Sequence, residues 1–568
     1  MTPETLHRLF DVVADAPGGV QRLRELILQL AVRGKLVPQD PNDEPASVLL
    51  ERVEEEKRRL YEEGKIRKLK KLPPVEPDEV PFDIPPNWVW SRLVDLGHVN
   101  PRNDLDDSAL VSFCPMASIP ERYGAPVEFE VRRWGEIKGG YTHFAENDVV
   151  IAKITPCFQN GKGAVMRGLV GGAGAGTTEL YVFRPIPGAL EPDYVLIFLK
   201  SPGFVSDGER RMTGTAGQQR LPREYFETTP IPVPPLAEQR RIVAKVAELM
   251  SICDELEERQ RRREEKRASL NRSALHHFTT ATDDVDLARH WRRIRDHFDV
   301  LYEVPETVAE LRQAILQLAV RGKLVPQDPN DEPASVLLER IEEEKRRLYH
   351  EGQIGKPRPA DILAPHDQPY EIPATWVWTR LASVGEIVGG GTPRTNNPEY
   401  WADEGIPWIT PADLNGLKGK YVSRGRRDIS RAGLENSSAQ LLPRGTVLFS
   451  SRAPIGYVAI AANPLATNQG FKSCVPFVSE MSEYIFRFLQ AVAPEVERSA
   501  PGTTFKEVSG KLVGQIPIPV PPLAEQHRIV AKVDRLMALC DELEERLSKS
   551  RALAESVAAA VVHELTAA

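Results

Sequence analysis

Cysteine is scarce in this sequence of 568 residues, and its five cysteines follow no metal-binding pattern. Neither CxxC nor CxxH spacing occurs, which argues against a zinc site and fits the reducing cytoplasm. Cys253 and Cys540 stand in the apolar stripes of two similar predicted helices, so we expect both to be packed helix residues. The sequence therefore predicts a cytoplasmic protein that holds no metal ion; the other cysteines are Cys114, Cys157 and Cys474.

Long apolar runs and an excess of positive charge are also missing. No run approaches the ~18 apolar residues that a membrane span requires. The opening residues, MTPETLHRLFDVV, lack the basic start and apolar core of a secretory signal. The formal net charge is −8 at pH 7, which lowers the expectation of nucleic-acid binding without excluding local basic patches. We therefore expect no membrane association.

The motifs of common catalytic sites are absent as well. There is no GxxxxGK(S/T) phosphate loop, no HExxH, no GxSxG and no methyltransferase tetrapeptide of the Asn/Asp-Pro-Pro-aromatic type. The glycine-rich GGAGAGTT (Gly171–Thr178) lacks the lysine of a phosphate loop, which favours a flexible turn. GGGTPRTNNPEYW (Gly389–Trp401) does not stand between a clear strand and a helix, as a nucleotide loop does. The sequence predicts a chain that is not an enzyme and binds no cofactor itself.

What the sequence does contain is an internal repeat, which has to be identified before any fold is assigned. Two long blocks without obvious similarity to each other are framed by segments that occur twice. The recurring pairs are Ile27–Arg52 with the identical Ile315–Arg340, Ile84–Leu93 with Ile372–Leu381, and PPLAEQRRIVAKV (Pro234–Val246) with PPLAEQHRIVAKV (Pro521–Val533).

The repeated segments have helical periodicity. After the proline pair at 234–235, apolar residues recur at spacings of three and four, which predicts a helix to about His277. The second copy predicts a helix from Leu523 to about Leu565. Each helix has one apolar stripe, so an antiparallel coiled coil between them is expected. Another repeated helix is predicted to end at Gly34 and Gly322, each at the C′ position.

A further repeated helix carries the charge run EEEKRRLY, at Glu54–Tyr61 and again at Glu342–Tyr349. Such a run usually forms a solvated helix face. The alternative interpretation is a docking surface for another protein.

The two blocks between the repeats have the composition of independent α/β globules. Strands are predicted at Asp148–Ile154, Thr178–Pro185, Gly445–Ser451 and Gly456–Ala462. Helices are predicted for YVLIFLKS in block one and SEYIFRFLQAVA in block two.

Loops in both blocks have side chains suited to DNA recognition. Lysine and arginine suit phosphates, whereas glutamine and asparagine fit the edge of adenine. Each loop alone is more often an ordinary turn, so we expect about half of these residues to contact DNA. The candidates in block one are Lys153, Gln159, Asn160, Lys162, Arg211, Gln218, Gln219 and Arg220, and those in block two are Arg394, Asn396, Asn397, Arg424, Arg426, Arg427, Arg452, Asn468, Gln469 and Lys472.

The whole chain resembles the specificity subunits of type I restriction-modification enzymes. The resemblance rests on both copies of LRELILQLAVRGKLVPQDPNDEPASVLLERV and PIPVPPLAEQRRIVAKVAELMSICDELE, and within the blocks on VVIAKITPCFQNGKGAV and VLFSSRAPIGYVAI. It implies a mixed α/β fold: two globular target-recognition domains joined by long antiparallel coiled-coil helices, with a pseudo-twofold internal repeat. The expected division is a repeated helical region at 1–81, target-recognition domain 1 at 82–235, a central repeated helical region at 236–369, target-recognition domain 2 at 370–522 and a spacer helix at 523–568.

The resemblance also implies a function. A non-catalytic subunit would read a bipartite, asymmetric, gapped site in double-stranded DNA. It would direct two DNA adenine methyltransferase subunits and the restriction (motor) subunits. S-adenosylmethionine, ATP and magnesium would be held by these partner subunits and not by this chain. Two other interpretations remain open: a stand-alone nuclease or methyltransferase with an unrecognised motif, and a coiled-coil scaffold whose blocks bind proteins.

Overall fold

The computed structural model describes residues 13–14, 16–63, 72–215, 217–281, 283–302, 305–452, 454–501 and 506–567. The first eight helices are α1 Gly19–Val32, α2 Ala46–Glu62, α3 Leu93–Leu96, α4 Trp134–Ile137, α5 Pro192–Leu199, α6 Pro202–Arg211, α7 Arg223–Thr228 and α8 Leu236–Thr279. They are followed by α9 Asp284–Asp296, α10 Phe298–Leu301, α11 Pro305–Val320, α12 Ala334–His350, α13 Leu381–Val384, α14 Arg431–Glu435, α15 Ser482–Ser499, α16 Gly510–Gly514 and α17 Leu523–Ala567.

The chain divides into two units. Unit 1 comprises the described residues up to Arg263 together with those from Arg551 onward, and unit 2 comprises 264–550. Among the described residues, no helix is both long enough and apolar enough to cross a membrane.

Unit 1 contains one short ladder and two four-stranded sheets. The ladder pairs β1 with β10, and the sheets have the orders β2-β9-β6-β7 and β4-β3-β8-β5. All pairs are antiparallel except β3 with β8. The strands are β1 Val89–Arg92, β2 Gly97–Val99, β3 Leu110–Cys114, β4 Glu130–Arg133, β5 Thr142–Ala145, β6 Val149–Ala152, β7 Gly163–Val165, β8 Ala173–Gly176, β9 Leu180–Pro185 and β10 Pro230–Val233.

Unit 2 has the same kind of ladder but different sheets. Its ladder pairs β11 with β21, and its sheets have the orders β12-β20-β17-β18-β15 and β13-β16-β14-β19. The strands are β11 Val377–Arg380, β12 Gly385–Gly389, β13 Trp401–Ala402, β14 Ile406–Ile409, β15 Tyr421–Val422, β16 Arg427–Ile429, β17 Val447–Ser451, β18 Ile455–Ala461, β19 Ala466–Thr467, β20 Lys472–Pro476 and β21 Pro517–Val520.

The two ladders have the same register, and each block enters and leaves the repeated part of the chain through one of them. Val89 pairs with Val233 in unit 1, and Val377 pairs with Val520 in unit 2. The tyrosine of the first long helix in each block bonds to the returning strand: the hydroxyl of Tyr194 donates to the Pro232 carbonyl, and that of Tyr484 to the Pro519 carbonyl. We call the repeated part, with its two ladders, the frame.

A buried carboxylate holds each copy of the frame together. The Glu238 carboxylate accepts hydrogen bonds from Trp88 Nε1 at 2.9 Å and from Gln39 Nε2 at 2.5 Å. It is fully buried, and this burial raises its pKa. In this way one side chain joins the start of α8, the entry to β1 and the segment after α1.

The second copy repeats this arrangement in unit 2. Glu525 accepts from Trp376 Nε1 at 2.8 Å and from Gln327 Nε2 at 2.6 Å, and its pKa is also raised by burial. Similar ion pairs flank both carboxylates, from Arg241 to Asp43 and from Arg528 to Asp331, each at 2.6 Å.

The long helices form as predicted, and their apolar stripes are buried. Residues 242, 246, 249 and 253 of α8 belong to the core of unit 1, which also includes Ala558 near the end of α17. Phe278 near the end of α8 shares the core of unit 2 with Val533 and Leu536 of α17. The start of α8 thus shares a core with the end of α17, and the end of α8 shares a core with the first part of α17. This is the antiparallel order that the sequence predicts.

Several local predictions are also confirmed. Cys253 and Cys540 are fully buried, and burial raises the pKa of each thiol to about 11. Gly34 and Gly322 have φ of +68° and +67° at the predicted C′ positions. The predicted strands and block helices appear as β6, β9, β17, β18, α5 and α15, with boundaries that differ by a few residues.

The prediction of a flexible turn at GGAGAGTT is wrong. Ala173–Gly176 form β8, a buried strand that pairs with β3 on one side and β5 on the other. Glycine is required because a Cβ at Gly174 would lie 2.1 Å from the Ser112 carbonyl oxygen and 2.5 Å from the Phe144 ring. The small residues therefore admit a close aromatic contact instead of providing mobility.

We predict that Glu238→Ala and Glu525→Ala each destabilise their own unit to a similar extent. Each substitution leaves a buried indole N–H without its acceptor, which costs about 1–3 kcal/mol. Urea unfolding followed by tryptophan fluorescence measures the loss. The exposed Glu128→Ala variant serves as the control, and equal stability of all three variants would contradict the role assigned to the carboxylates.

Candidate DNA interface

In unit 1 the two predicted DNA-binding loops lie side by side. The first, residues 153–163, follows β6, and the second, the described part of 210–221, begins at the last two residues of α6. Ile154 forms an antiparallel bridge with Arg220, and the Thr155 amide donates to the Gln219 carbonyl at 3.0 Å. The Leu221 amide donates to the Lys153 carbonyl at 2.7 Å. The structure therefore brings the block-one candidates into one surface region.

Several of these candidates are occupied by contacts within the protein. The guanidinium of Arg220 binds Glu179 through two hydrogen bonds of 2.8 and 2.9 Å, which lower the pKa of that carboxyl. Arg211 contacts Asp207 at 3.1 Å and lies 5.5 Å from the Tyr225 ring. Paired with a carboxylate, both arginines are weaker phosphate ligands than unpaired arginines would be.

Two further candidates join the first loop to residues 115–123. Asn160 Nδ2 donates to Glu121 Oε1 at 3.0 Å, and Lys162 Nζ donates to the Met116 carbonyl at 3.3 Å. These contacts shape the loop, so neither side chain is fully available for bases.

The remaining block-one candidates are more accessible to a ligand. Lys153 stacks on the Tyr181 ring at 5.2 Å, and partial burial lowers its pKa. Gln159 and Gln218 are exposed and Gln219 is half-buried. The side chains of these three glutamines have no hydrogen-bond partner among the described residues.

In unit 2 three predicted loops meet. The loop at 390–397 is joined to the loop at 467–472 by the Gly391 amide, which donates to the Thr467 carbonyl at 2.8 Å, and by the Thr392 hydroxyl, which donates to Gln469. Trp401 connects the loop at 390–397 to the loop at 423–427, because its Nε1 donates to the Arg394 carbonyl and its ring lies 3.8 Å from the Arg427 guanidinium.

Three asparagine and arginine candidates in unit 2 have internal partners. Arg424 pairs with Asp428 at 2.7 Å and donates to the Asp403 carbonyl at 2.5 Å. Asn397 Oδ1 accepts from the Glu399 amide, and Asn468 Oδ1 accepts from the Gly470 amide. These side chains fix the backbone of their loops.

The other candidates of unit 2 make weaker contacts or none. Lys472 Nζ lies 3.4 Å from the Gln469 carbonyl, Arg452 lies 3.9 Å from Glu507, and Arg426 lies 3.7 Å from Asp413. Arg394 and Asn396 are exposed. No described residue partners either of these two side chains.

The sequence alone did not predict which residues pair with the candidate DNA-binding side chains. Glu179, Asp428 and Trp401 bind or stack on arginines, yet each lies 4 to 41 positions away in sequence. Trp401 is the exception that a sequence signal could have found, since it ends the glycine-rich motif at 389–401. Among the described residues, no group of three or more His, Cys, Asp or Glu side chains could hold a metal ion.

Comparison with known proteins identifies the family. The model described as "Type I restriction modification DNA specificity domain" matches residues 85–265 and 373–550. The chain belongs to the type I restriction-modification specificity family. The EcoAI specificity subunit of Escherichia coli is 40% identical over 546 residues, covering 92% of this chain and 90% of the relative. The E. coli EcoEI specificity subunit is 38% identical, covering 94% and 91%.

A solved S subunit from Thermoanaerobacter tengcongensis aligns with 86% of this chain and 98% of its own, at 21% identity and a TM-score of 0.44. The family match and the two full-length relatives identify the protein as the DNA specificity subunit of a type I restriction-modification system, and as such it is a non-catalytic component of the enzyme. The two matched regions contain all of the loops described above.

We predict that two arginines of this specificity subunit, Arg394 and Arg424, differ in role although the sequence proposes both for DNA binding. Arg394→Ala should weaken binding of cognate DNA by about 1–3 kcal/mol if the side chain reads a base, without changing the melting temperature. Arg424→Ala should lower the melting temperature, because Asp428 is buried and loses its partner.

Fluorescence anisotropy with the assembled complex and differential scanning fluorimetry measure the two effects. The opposite pattern, with Arg394→Ala destabilising the fold and Arg424→Ala affecting DNA alone, would contradict this division of roles.

Proposed function

We propose that this specificity subunit reads a bipartite, asymmetric, gapped site in double-stranded DNA. Segment 82–235 would serve as target-recognition domain 1 and segment 370–522 as target-recognition domain 2, with 1–81, 236–369 and 523–568 as the repeated and spacer helices. The observation that supports this proposal is that two ladders of equal register support two different sets of loops. Two ladders of the same register that carry loops of different sequence are suited to reading two half-sites of different sequence.

A fixed spacing between the half-sites follows from the same reasoning. Two similar modules that face one side of a duplex need centres about one helical turn apart, ~34 Å. We propose that α8 and α17 act as the ruler that sets the unread gap.

We further propose that the subunit directs adenine methylation and ATP-dependent cleavage carried out by partners. Two methyltransferase subunits would bind S-adenosylmethionine, and restriction subunits would bind ATP and magnesium. The partners would also supply much of the phosphate contact, which is consistent with the net charge of −8 on this chain.

The repeated charged helices are the surfaces that we assign to the two methyltransferases. Helices α2 and α12 expose the same seven side chains in each unit, although exposed positions are under little constraint from packing. We call these surfaces the twin faces: Ser47, Glu51, Arg52, Glu55, Arg58, Arg59 and Tyr61 in α2, and Ser335, Glu339, Arg340, Glu343, Arg346, Arg347 and Tyr349 in α12. Tyrosine and arginine are enriched at binding hot spots, and two identical surfaces suit two copies of one partner.

The proposed function predicts a methylation motif that depends on this chain. The chain is co-expressed with its cognate methyltransferase in a host without other DNA modification, and N6-methyladenine is mapped by sequencing. A gapped, asymmetric motif should appear, and it should vanish when this chain is omitted. A soluble complex that methylates no motif would favour the scaffold interpretation instead.

The twin faces predict a stepwise loss of methyltransferase. Arg58→Glu or Arg346→Glu should leave one methyltransferase per chain, and the double variant should leave none, because a reversed charge opposes the same partner surface. Native mass spectrometry of the co-purified complex gives the stoichiometry.

The control exchanges the exposed residues that differ between α2 and α12, as Glu62→His and His350→Glu. These variants should retain two methyltransferases. Two methyltransferases on the double Arg→Glu variant would place the docking surface elsewhere.

A further inference from the structure

A buried lysine of unit 1 has no place in the interface described above. Lys200 directly follows α5 and is 8% exposed. Its Nζ donates to three backbone carbonyls, those of Gly161 at 2.6 Å, Glu121 at 2.7 Å and Pro120 at 3.3 Å. Each of the three N–H groups of the ammonium thus has an acceptor, and no carboxylate among the described residues forms an ion pair with Nζ.

Burying this ammonium is costly. Burial lowers the pKa of Lys200 to about 7, which means that the surroundings disfavour the charged form even though three carbonyls accept its hydrogen bonds. An apolar side chain of the same length would avoid that penalty but could not hold the carbonyls. The lysine is therefore better suited to fixing the backbone than to filling space.

The carbonyls that Lys200 holds belong to two different loops. Gly161 lies in the 153–163 loop, and Pro120 and Glu121 lie in the 115–123 loop. The same pair of loops is joined by the Asn160 and Lys162 contacts and by the Gly163 amide, which donates to the Pro120 carbonyl at 3.0 Å. The buried Lys200 adds hydrogen bonds to both loops and so joins them within the domain.

The position of Gln159 at the loop tip depends on these fixed points. Phe158 is fully buried beside it, and the Gly161 amide donates to the Phe158 carbonyl at 2.8 Å. With Phe158 packed on one side and Gly161 held by Lys200 on the other, the backbone that carries the exposed Gln159 has little freedom.

Unit 2 has no lysine at the corresponding position. Lys200 stands six residues after Tyr194, and the residue six positions after the equivalent Tyr484 is Gln490. Gln490 accepts instead from Arg487 NH1 at 2.9 Å. The lysine is therefore specific to block one, whereas the tyrosine that precedes it belongs to both units.

We propose that Lys200 is a positioning residue for DNA recognition by unit 1. Its side chain holds the 153–163 loop in the conformation that selects the bases of one half-site. The proposal rests on the proposed function, since it requires that each unit reads its own half-site. A side chain that touches no DNA would then determine part of the target sequence.

The test compares methylation motifs of the full chain with its methyltransferase. Lys200→Met removes the donors, and Lys200→Gln introduces the residue that unit 2 has at this position. The control is Lys345→Met, because Lys345 of α12 is likewise buried, at 4% exposed, but its ammonium contacts Glu342 and the Phe477 ring instead of a predicted DNA-binding loop. The half-site of unit 1 is identified as the one that Arg394→Ala leaves unchanged.

Both Lys200 variants should lose base preference at one or more positions of the unit 1 half-site and retain the unit 2 half-site. Lys345→Met should give the wild-type motif. An unchanged motif, an equal loss at both half-sites, or failure of both Lys200 variants to accumulate would overturn the positioning role. Absence of any motif from the wild-type complex would instead count against the proposed function.

Discussion

The structure depends on one buried interaction that occurs twice: a glutamate at the start of a long helix accepts hydrogen bonds from an indole and an amide. Glu238 and Glu525 are withdrawn from water, which raises the pKa of both carboxyls. Such groups are tolerated where donors surround them. Each glutamate thereby joins the long helix, the entry to the ladder and the segment after the preceding helix.

This constraint explains how two blocks of different fold share one chain. The ladders start and end each block at the same register, so the same frame carries blocks with different sheets. Within the blocks, carboxylates such as Glu179 and Asp428 bind arginines of the loops. These ion pairs reduce the positive charge available to attract phosphates. They also fix the conformation of each loop. If these loops read DNA as proposed, the shape of each loop and its exposed amides are then expected to contribute more to recognition than bulk charge.

Sequence predicted the frame far better than the interface. Repetition and spacings of three and four located the long helices, the buried cysteines and the glycines that end helices, because these features depend on local periodicity. The strand Ala173–Gly176 was misassigned because its glycines serve a contact with Phe144, which is distant in sequence. The paired and the unpaired candidates, such as Arg424 and Arg394, could not be told apart, because the pairing of Arg424 with Asp428 four residues later depends on the conformation of the loop and not on a helical spacing. The five predicted domain boundaries and the DNA contacts remain predictions.

If one frame supports two independent and exchangeable readers of DNA, then exchanging a block exchanges the half-site that it reads. The most direct measurement is the methylation motif of a chain in which residues 93–229 are replaced by 381–516, so that both ladders carry block two. Both halves of the motif should then become the same sequence, the one that unit 2 reads in the wild-type protein. An assembled, active complex whose motif keeps the original unit 1 half-site would contradict it.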